Sequence, residues 1–291
     1  MQELPLTSII ILTYNNLKYT KLCLQSLFRH TEKPYELILV DNGSTDGTQE
    51  YIQSLSLSPG TQAENRLTPI RIKKIFNPTN KGFSAGCNQG ASLASGKYIV
   101  FLNNDTIPQK NWLKELIYAA EKFYKIGVVG SLLAFPDGTI QHAGAAFGPP
   151  YFTHHLYKGK KLSYQPAHTA KILQAVTGAC LLIQSELFAK IGGFDERYLN
   201  GFEDLDLCFK VRKEGFRILY WPKSTLIHFE SVSPNRKAKD IENLELFKNQ
   251  WKDYCFFDAP LYEETDPPDR IEEKMHSIEE TLSLICSLDL K

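Results

Sequence analysis

Ile99-Val100-Phe101-Leu102-Asn103-Asn104-Asp105 is the stretch whose reading decides the fold. Four consecutive apolar residues, mostly β-branched or aromatic, read as a strand buried on both faces. The run stops at two amides and a carboxylate, and Thr106 and Pro108 are then expected to break the strand. In open α/β sheets ligands gather at the carboxyl ends of the strands, so this polar cluster stands where function is expected. Asp105 offers hard oxygens to Mg²⁺ or Mn²⁺, and Asn103 can hydrogen-bond a neutral sugar hydroxyl. Asn and Asp also end strands in ordinary turns, and for this stretch alone the two readings weigh equally. The flanking sequence separates them.

Upstream, Ser8 to Leu12 is a β-rich run ending at Thr13-Tyr14-Asn15-Asn16, followed by an imperfect helical stripe from Leu17 to Phe28. Tyr35 to Val40 is a second strand, ending in Asp41-Asn42-Gly43-Ser44-Thr45-Asp46-Gly47, with Asp46 as N-cap of a short helix through Tyr51 and Ile52. A polar loop from Ser56 to Pro69 precedes a third strand at Ile70 to Phe76. Asn80-Lys81-Gly82-Phe83-Ser84-Ala85-Gly86-Cys87-Asn88 then opens a helix of small residues that leads into the organising strand. Strand, helix, strand, helix at this spacing predicts right-handed βαβ units and a mostly parallel sheet.

Downstream, Trp112 to Tyr124 reads as an amphipathic helix, and Gly127 to Phe135 and Ile140 to Phe147 as strands joined at Pro136-Asp137-Gly138. Gly148 to Gln165, with His154 and His155, reads as a long exposed loop of the kind that forms lids. Gly201-Phe202-Glu203-Asp204-Leu205-Asp206 opens a helix with three acids within four residues, where a helix N-terminus favours carboxylates. Arg217 to Trp221 and Thr225 to Phe229 read as strands, the second carrying His228 among apolar neighbours, a setting where histidine is more often core than ligand. Ile241 to Tyr254 is a helix, Pro260 to Arg270 an acidic linker, and Ile271 to Leu288 a last amphipathic helix.

The 33 basic and 33 acidic residues among 291 balance, so no electrostatic case exists for a nucleic-acid partner. Six scattered cysteines without a CxxC pair read as reduced, buried thiols of a cytoplasmic protein. No signal peptide is visible, and no apolar run approaches the ~20 residues of a membrane span. There is neither a GxGxxG nor a GxxxxGK[ST] motif. The strand ends nonetheless supply Asn15, Asp41, Asn80, Gly82, Asn103 and Asp105, an inventory suited to a hydroxyl-rich ligand bearing a diphosphate. A metal on that diphosphate would neutralise charge on the leaving group, and Asp204 or Glu203 would deprotonate an acceptor hydroxyl.

On these stretches, together with Gly193-Phe194-Asp195, the chain resembles the family 2 glycosyltransferases over roughly residues 7–235. These are inverting nucleotide-sugar enzymes of the GT-A fold, and the pattern looks most like the bacterial rhamnosyltransferase-like branch that builds surface polysaccharides or glycoprotein glycans. The resemblance implies an α/β, Rossmann-like, mostly parallel sheet flanked by helices. It implies a GT-A domain over 1–236 (donor half about 1–106, acceptor half about 107–236) and a helical extension over 237–291 that supports a homodimer or multidomain assembly.

Position by position, it implies that Thr13, Asn15 and Asp41 hold the nucleoside of a UDP- or dTDP-sugar, with Asn80, Gly82 and Asn103 beside the donor. Asp105 and His228 would hold a divalent metal (Mn²⁺ or Mg²⁺), reversing the core reading of His228. Asp204 would be the catalytic base, with Glu203, Asp206 and His142 on the acceptor side, and His154 more loosely beside them. Expected partners are the nucleotide-sugar donor and a glycan, lipid-linked or glycoprotein acceptor, met in the cytoplasm or at the inner face of the membrane. The chain departs from the pattern at Asn103-Asn104, where many relatives carry acids; one carboxylate fewer should weaken the ion. A GT-A module that binds nucleotide or glycan without turnover, and a nucleotidyltransferase, are the rival readings. The second would carry a Gly-rich basic phosphate loop where this chain has Thr13-Tyr14-Asn15-Asn16.

Overall fold

The first four strands, β1 (Thr7–Thr13), β2 (Tyr35–Asp41), β3 (Arg71–Phe76) and β4 (Tyr98–Leu102), lie parallel in the order β3-β2-β1-β4. That is the order of a nucleotide-binding half, and it brings the carboxyl ends of β1, β2 and β4 to one edge. The crossovers run through α1 (Leu17–His30), α2 (Thr48–Ser54) and α3 (Phe83–Ser92). The computed structural model describes residues 5–32, 34–55, 70–149, 151–230 and 239–262. The predicted loop over 56–69 and the predicted last helix over 271–288 lie outside the described residues.

Strand alternation sorts the core into two layers. Ile9, Ile11, Leu37, Leu39 and Val100 face α1, α2 and α4 (Trp112–Lys122), meeting Leu24, Leu27, Ile52, Trp112 and Leu116. Ile10, Ile38, Val40, Ile99 and Phe101 face the other way, towards α3, α5 (Ser185–Lys190) and α6 (Glu203–Lys213). Each such fully buried side chain contributes roughly 1.5–3 kcal/mol. The small residues of α3 let it lie close on the sheet: a Cβ at Gly90 would stand 2.6 Å from Ile10 Cγ2.

The second half continues the same sheet through β5 (Thr106–Pro108), β6 (Ile126–Ala134), β7 (Ile140–His142), β10 (Lys171–Leu173), β11 (Cys180–Gln184) and β12 (Arg217–His228). β11 runs antiparallel between β4 and β6, while β6 and β12 pair parallel. The result is the expected α/β architecture with a largely parallel sheet. α7 (Asp240–Trp251) packs Phe247 and Trp251 into the core beside Phe209. No helix among the described residues is long and apolar enough to cross a membrane.

The structure corrects the sequence reading in several places. Thr106 and Pro108 do not end pairing; they form β5, which joins β12 at the sheet's far side, where a proline is tolerated. The strand expected over Ile140 to Phe147 is divided at Ala143-Gly144, with β7 on the main sheet and β8 (Ala145–Gly148) in a separate ribbon. Gly144 has φ of 106°, and a Cβ there would meet Leu173 Cδ1, so only glycine makes this corner. Gly148 to Gln165 is not a loop throughout: β9 (Phe152–His155) pairs with β8, and Leu156 and Leu162 are buried. The two strands expected between Arg217 and Phe229 are one strand with a register shift between Trp221 and Thr225. Asp46 caps α2 from one position further out than expected, accepting from the Thr48 N–H, while its other oxygen accepts from the Leu17 N–H at the start of α1.

Candidate active site

Register places Thr13 directly beside Asp41 at the ends of β1 and β2. The Thr13 hydroxyl donates to Asp41 Oδ1 at 3.0 Å, and Asp41 Oδ2 accepts from the Gly43 and Ser44 N–H groups. The chain leaves β1 through Asn15 and Asn16 at φ of 55° and 64°, a left-handed turn that asparagine tolerates. Asn15 closes the same corner, its Oδ1 accepting from Thr45 N–H and its own N–H donating to Ser44 Oγ. Behind it, Asn42 Nδ2 donates to Asn80 Oδ1 and to the Gly82 carbonyl, and Asn77 donates to Asn42 Oδ1. Thr13, Asn15, Asp41, Asn80 and Gly82 therefore belong to one hydrogen-bonded rim. Asn42 and Asn77, which tie it together, were not singled out in the sequence.

Asp105 follows β4, and His228 ends β12; pairing of His228 with Thr106 sets them side by side. His228 Nε2 lies 3.1 Å from Asp105 Oδ1, and both residues are at most 5 % exposed. Gln141 fixes the ring. Its Nε2 donates to the His228 carbonyl, so its Oε1 must accept from His228 Nδ1, at 2.6 Å. The neutral ring then keeps its lone pair on Nε2, aimed at a carboxylate oxygen, with the Asn103 amide 3.5 Å away. Two buried acceptors facing each other need a proton or a cation between them. One imidazole and one carboxylate, with oxygens from outside the protein to complete the shell, form a donor set suited to Mg²⁺ or Mn²⁺. The residues fit the expected ion. Among the described residues no cluster of three or more His, Cys, Asp or Glu stands ready to hold a metal by itself.

The three acids opening α6 part company. Asp204 Oδ2 accepts from the Gly178 N–H at 2.8 Å, and its Oδ1 from the Leu205 N–H at 2.9 Å. A Cβ at Gly178 would sit 3.2 Å from the Asp204 Cβ, which explains the small residue before β11. Glu203 accepts from the Gly201 N–H within the helix entry. There Asn200, Gly201 and Phe202 all hold positive φ, at 58°, 148° and 69°. Strain of this kind clusters at functional sites, and Phe202 is braced by Phe247.

Asp206 corrects the acceptor-side expectation. It is wholly buried behind the helix, accepting from Trp251 Nε1 at 2.9 Å and pairing with Lys210 at 3.0 Å. Burial pushes its carboxyl up, against the pull of Lys210 and the Trp251 N–H.

A cavity of about 240 Å³ gathers Glu203, Asp204, His142, His228, Phe202 and His155. His142 lines it without a free ring nitrogen: Nδ1 faces His155 Nδ1 at 2.8 Å, and Nε2 accepts from the Thr177 N–H at 3.3 Å. Burial, then His155, His228 and Lys158, hold its pKa well below the ordinary 6.5. Strand alternation in β9 turns His155 to this cavity and His154 to the other side, against Gly148, so His155 is the histidine of that pair at the site. Gln141 and Gly178 were likewise missed. Gln141 has a weak signal, one residue before His142, and Gly178 has none that separates it from other small residues.

Against known proteins, the family model described as "Glycosyl transferase family 2" matches residues 8–183. The O-antigen biosynthesis protein RfbC of Myxococcus xanthus is 31% identical over 90% of this chain and 20% of its own length. The N-acetylglucosaminyl-diphospho-decaprenol L-rhamnosyltransferase of Mycobacterium tuberculosis is 26% identical over 78% of this chain and 77% of its own. The chain spans less than a third of the length of the first curated relatives it matches, 29% and 20%. A mannosyltransferase from Pyrobaculum calidifontis, solved with GDP-Man and Mn²⁺, superposes with a TM-score of 0.60 at 15% identity, over 89% of this chain and 68% of that one. The shared architecture is that of the GT-A glycosyltransferases.

Proposed function

The chain belongs to glycosyl transferase family 2, and on that premise we propose that it is an inverting glycosyltransferase moving a sugar from a UDP- or dTDP-sugar to a hydroxyl acceptor. The acceptor is a glycan, lipid-linked or glycoprotein-borne, in bacterial surface polysaccharide or glycoprotein glycan synthesis. The names of the O-antigen and rhamnosyltransferase relatives support that setting. The observation that carries the reading is one cavity holding an oriented carboxylate, Asp204, together with His228 of the Asp105–His228 pair.

In this reading residues 1–106 form the donor half and 107–236 the acceptor half. Thr13, Asn15 and Asp41 hold the nucleoside, with Asn80, Gly82 and Asn103 beside it. Asp105 and His228 would hold a divalent ion, which supplies neutralisation of the charge on the departing diphosphate. Glu203 shapes the acceptor side. Asp204 takes the proton of the acceptor hydroxyl as that oxygen bonds to the anomeric carbon, and the bond from that carbon to the diphosphate oxygen breaks on the opposite face. The Gly178 N–H fixes one carboxylate oxygen, which orients the base before substrate arrives.

The test pairs turnover with binding. Nucleoside diphosphate release is followed from a panel of UDP-, dTDP- and GDP-sugars with Mn²⁺, using wild type, Asp204→Asn and Asp105→Ala. Asp204→Asn should lose about 10²–10⁴-fold in rate while calorimetric binding of the nucleoside diphosphate persists; Asp105→Ala should lose the metal-dependent part of that binding. Unchanged turnover in Asp204→Asn would overturn the base assignment, and absence of turnover in wild type across the panel would favour the binding-module reading.

A further inference from the structure

The corner before β11 presents two successive backbone N–H groups to two different side chains. Thr177 N–H goes to His142 Nε2, and Gly178 N–H goes to Asp204 Oδ2. Holding one peptide thus fixes the next. His142 Nε2 accepts, so it carries no proton, and a neutral ring must carry its hydrogen on Nδ1. Among the described residues that hydrogen meets His155 Nδ1 at 2.8 Å, which therefore accepts. His155 ends β9, in the ribbon whose Ala145 also pairs with Ala175, two residues before Thr177. The rings stand nearly perpendicular, at 72°. A continuous line therefore runs from the cavity wall at His155 through His142 to the Thr177-Gly178 corner and the Asp204 carboxylate.

We propose that His142 is the positioning residue for Asp204, holding the Thr177-Gly178 corner through Nε2 while His155 fixes its tautomer from the β8–β9 ribbon. The inference rests on Asp204 as the base. His142 cannot touch an acceptor with either nitrogen, so its influence passes through the corner. His155, exposed to the cavity, is the member of the pair an acceptor would meet. Displacing the corner moves the Gly178 N–H off the carboxylate, and misplacement of a reacting group by about 1 Å costs on the order of 10²-fold.

Two variants separate positioning from packing. In His142→Gln the side-chain oxygen stands near the place of Nε2 and can accept from Thr177, while the link to His155 is lost. In His142→Asn the amide nitrogen stands near the place of Nδ1 and can reach His155, while the corner loses its acceptor. Each variant keeps one bond and loses one, so a purely structural role penalises both alike. Positioning predicts that His142→Asn loses roughly 10–100-fold in kcat for donor hydrolysis, with the KM for the same nucleotide-sugar unchanged. His142→Gln should retain the larger part of the wild-type kcat.

Equal losses in the two variants, or a loss confined to donor KM, would overturn the inference. Asp204→Asn is run alongside. If it keeps full turnover, the base assignment has failed and the inference with it; if it is inactive while His142→Asn equals wild type, only the inference has failed. Nitrogen-15 spectra of the imidazoles give an independent readout at neutral pH. A protonated Nδ1 and an unprotonated Nε2 on His142 are expected, and the reverse tautomer would refute the line of hydrogen bonds.

Discussion

Asp206 offers the sharpest contrast between an acid that anchors and Asp204, the acid proposed to react. Asp206→Ala strips the acceptor from Trp251 Nε1, in a residue only 5 % exposed, and a buried donor left unsatisfied costs about 1–3 kcal/mol. Lys210 loses its ion pair too, but it keeps the Gly193 carbonyl and its side chain is 21 % exposed, so the cost is about 0–1 kcal/mol. Together the alanine variant should lose about 1–4 kcal/mol. Asp206→Asn keeps an oxygen for the indole and removes a charge that burial disfavours, so its loss should be about 1 kcal/mol or less. Urea titrations at neutral pH measure both: the midpoint should fall in the order wild type, Asn, Ala with a constant slope. Donor hydrolysis per folded molecule should be unchanged in the asparagine variant. If Asp206→Asn is as unstable as alanine, the charge rather than the indole bond holds α7. If it is stable but inactive, the acid belongs to the chemistry and the anchoring argument is wrong.

Other outcomes follow from the remaining contacts. Gln141→Ala frees the His228 ring and should weaken Mn²⁺-dependent nucleoside diphosphate binding about 10–100-fold, read by calorimetry, with little change in metal-free binding. His142 is kept neutral in the folded chain while the unfolded chain protonates at its ordinary 6.5. Its contribution is therefore complete above pH 6.5 and lost as pH falls below that value towards the folded one. Urea midpoints measured downward from neutral pH should decline in wild type and decline less in His142→Gln. Asp206 acts with the opposite sign at lower pH: its raised carboxyl makes ionisation costly, and that cost disappears towards 3.8.

Much of the N-terminal half was legible because its signals are local. Apolar runs bounded by Asn, Asp and Gly gave β1, β2 and β4 nearly to the residue, and the βαβ spacing gave their parallel pairing, while their order came from the structure. The rest was harder because its structure depends on partners far along the chain. β9 carries no apolar run, and only its pairing with β8 makes it a strand. Thr106-Ile107-Pro108 looks like a strand end until β12, more than a hundred residues later, arrives beside it. The three acids of α6 are indistinguishable in sequence, and it is helix geometry that turns Asp204 to the cavity and Asp206 to Trp251. His154 and His155 differ only by which face of a short ribbon each occupies. Gln141, whose amide selects the tautomer of His228, has no sequence mark beyond its neighbour.

The pairing of β5 with β12 has a consequence for how the chain matures. Asp105 and His228 are separated by 123 positions, and nothing local brings them together. The parallel half from β1 to β4 can assemble from neighbouring units, whereas this contact carries the loop-closure entropy of nearly half the protein. On the ribosome, a chain whose β12 is still in the exit tunnel has Asp105 but not yet His228 beside it. The contact between Asp105 and His228 is thus a reporter of sheet closure, and a nascent chain cannot form it earlier.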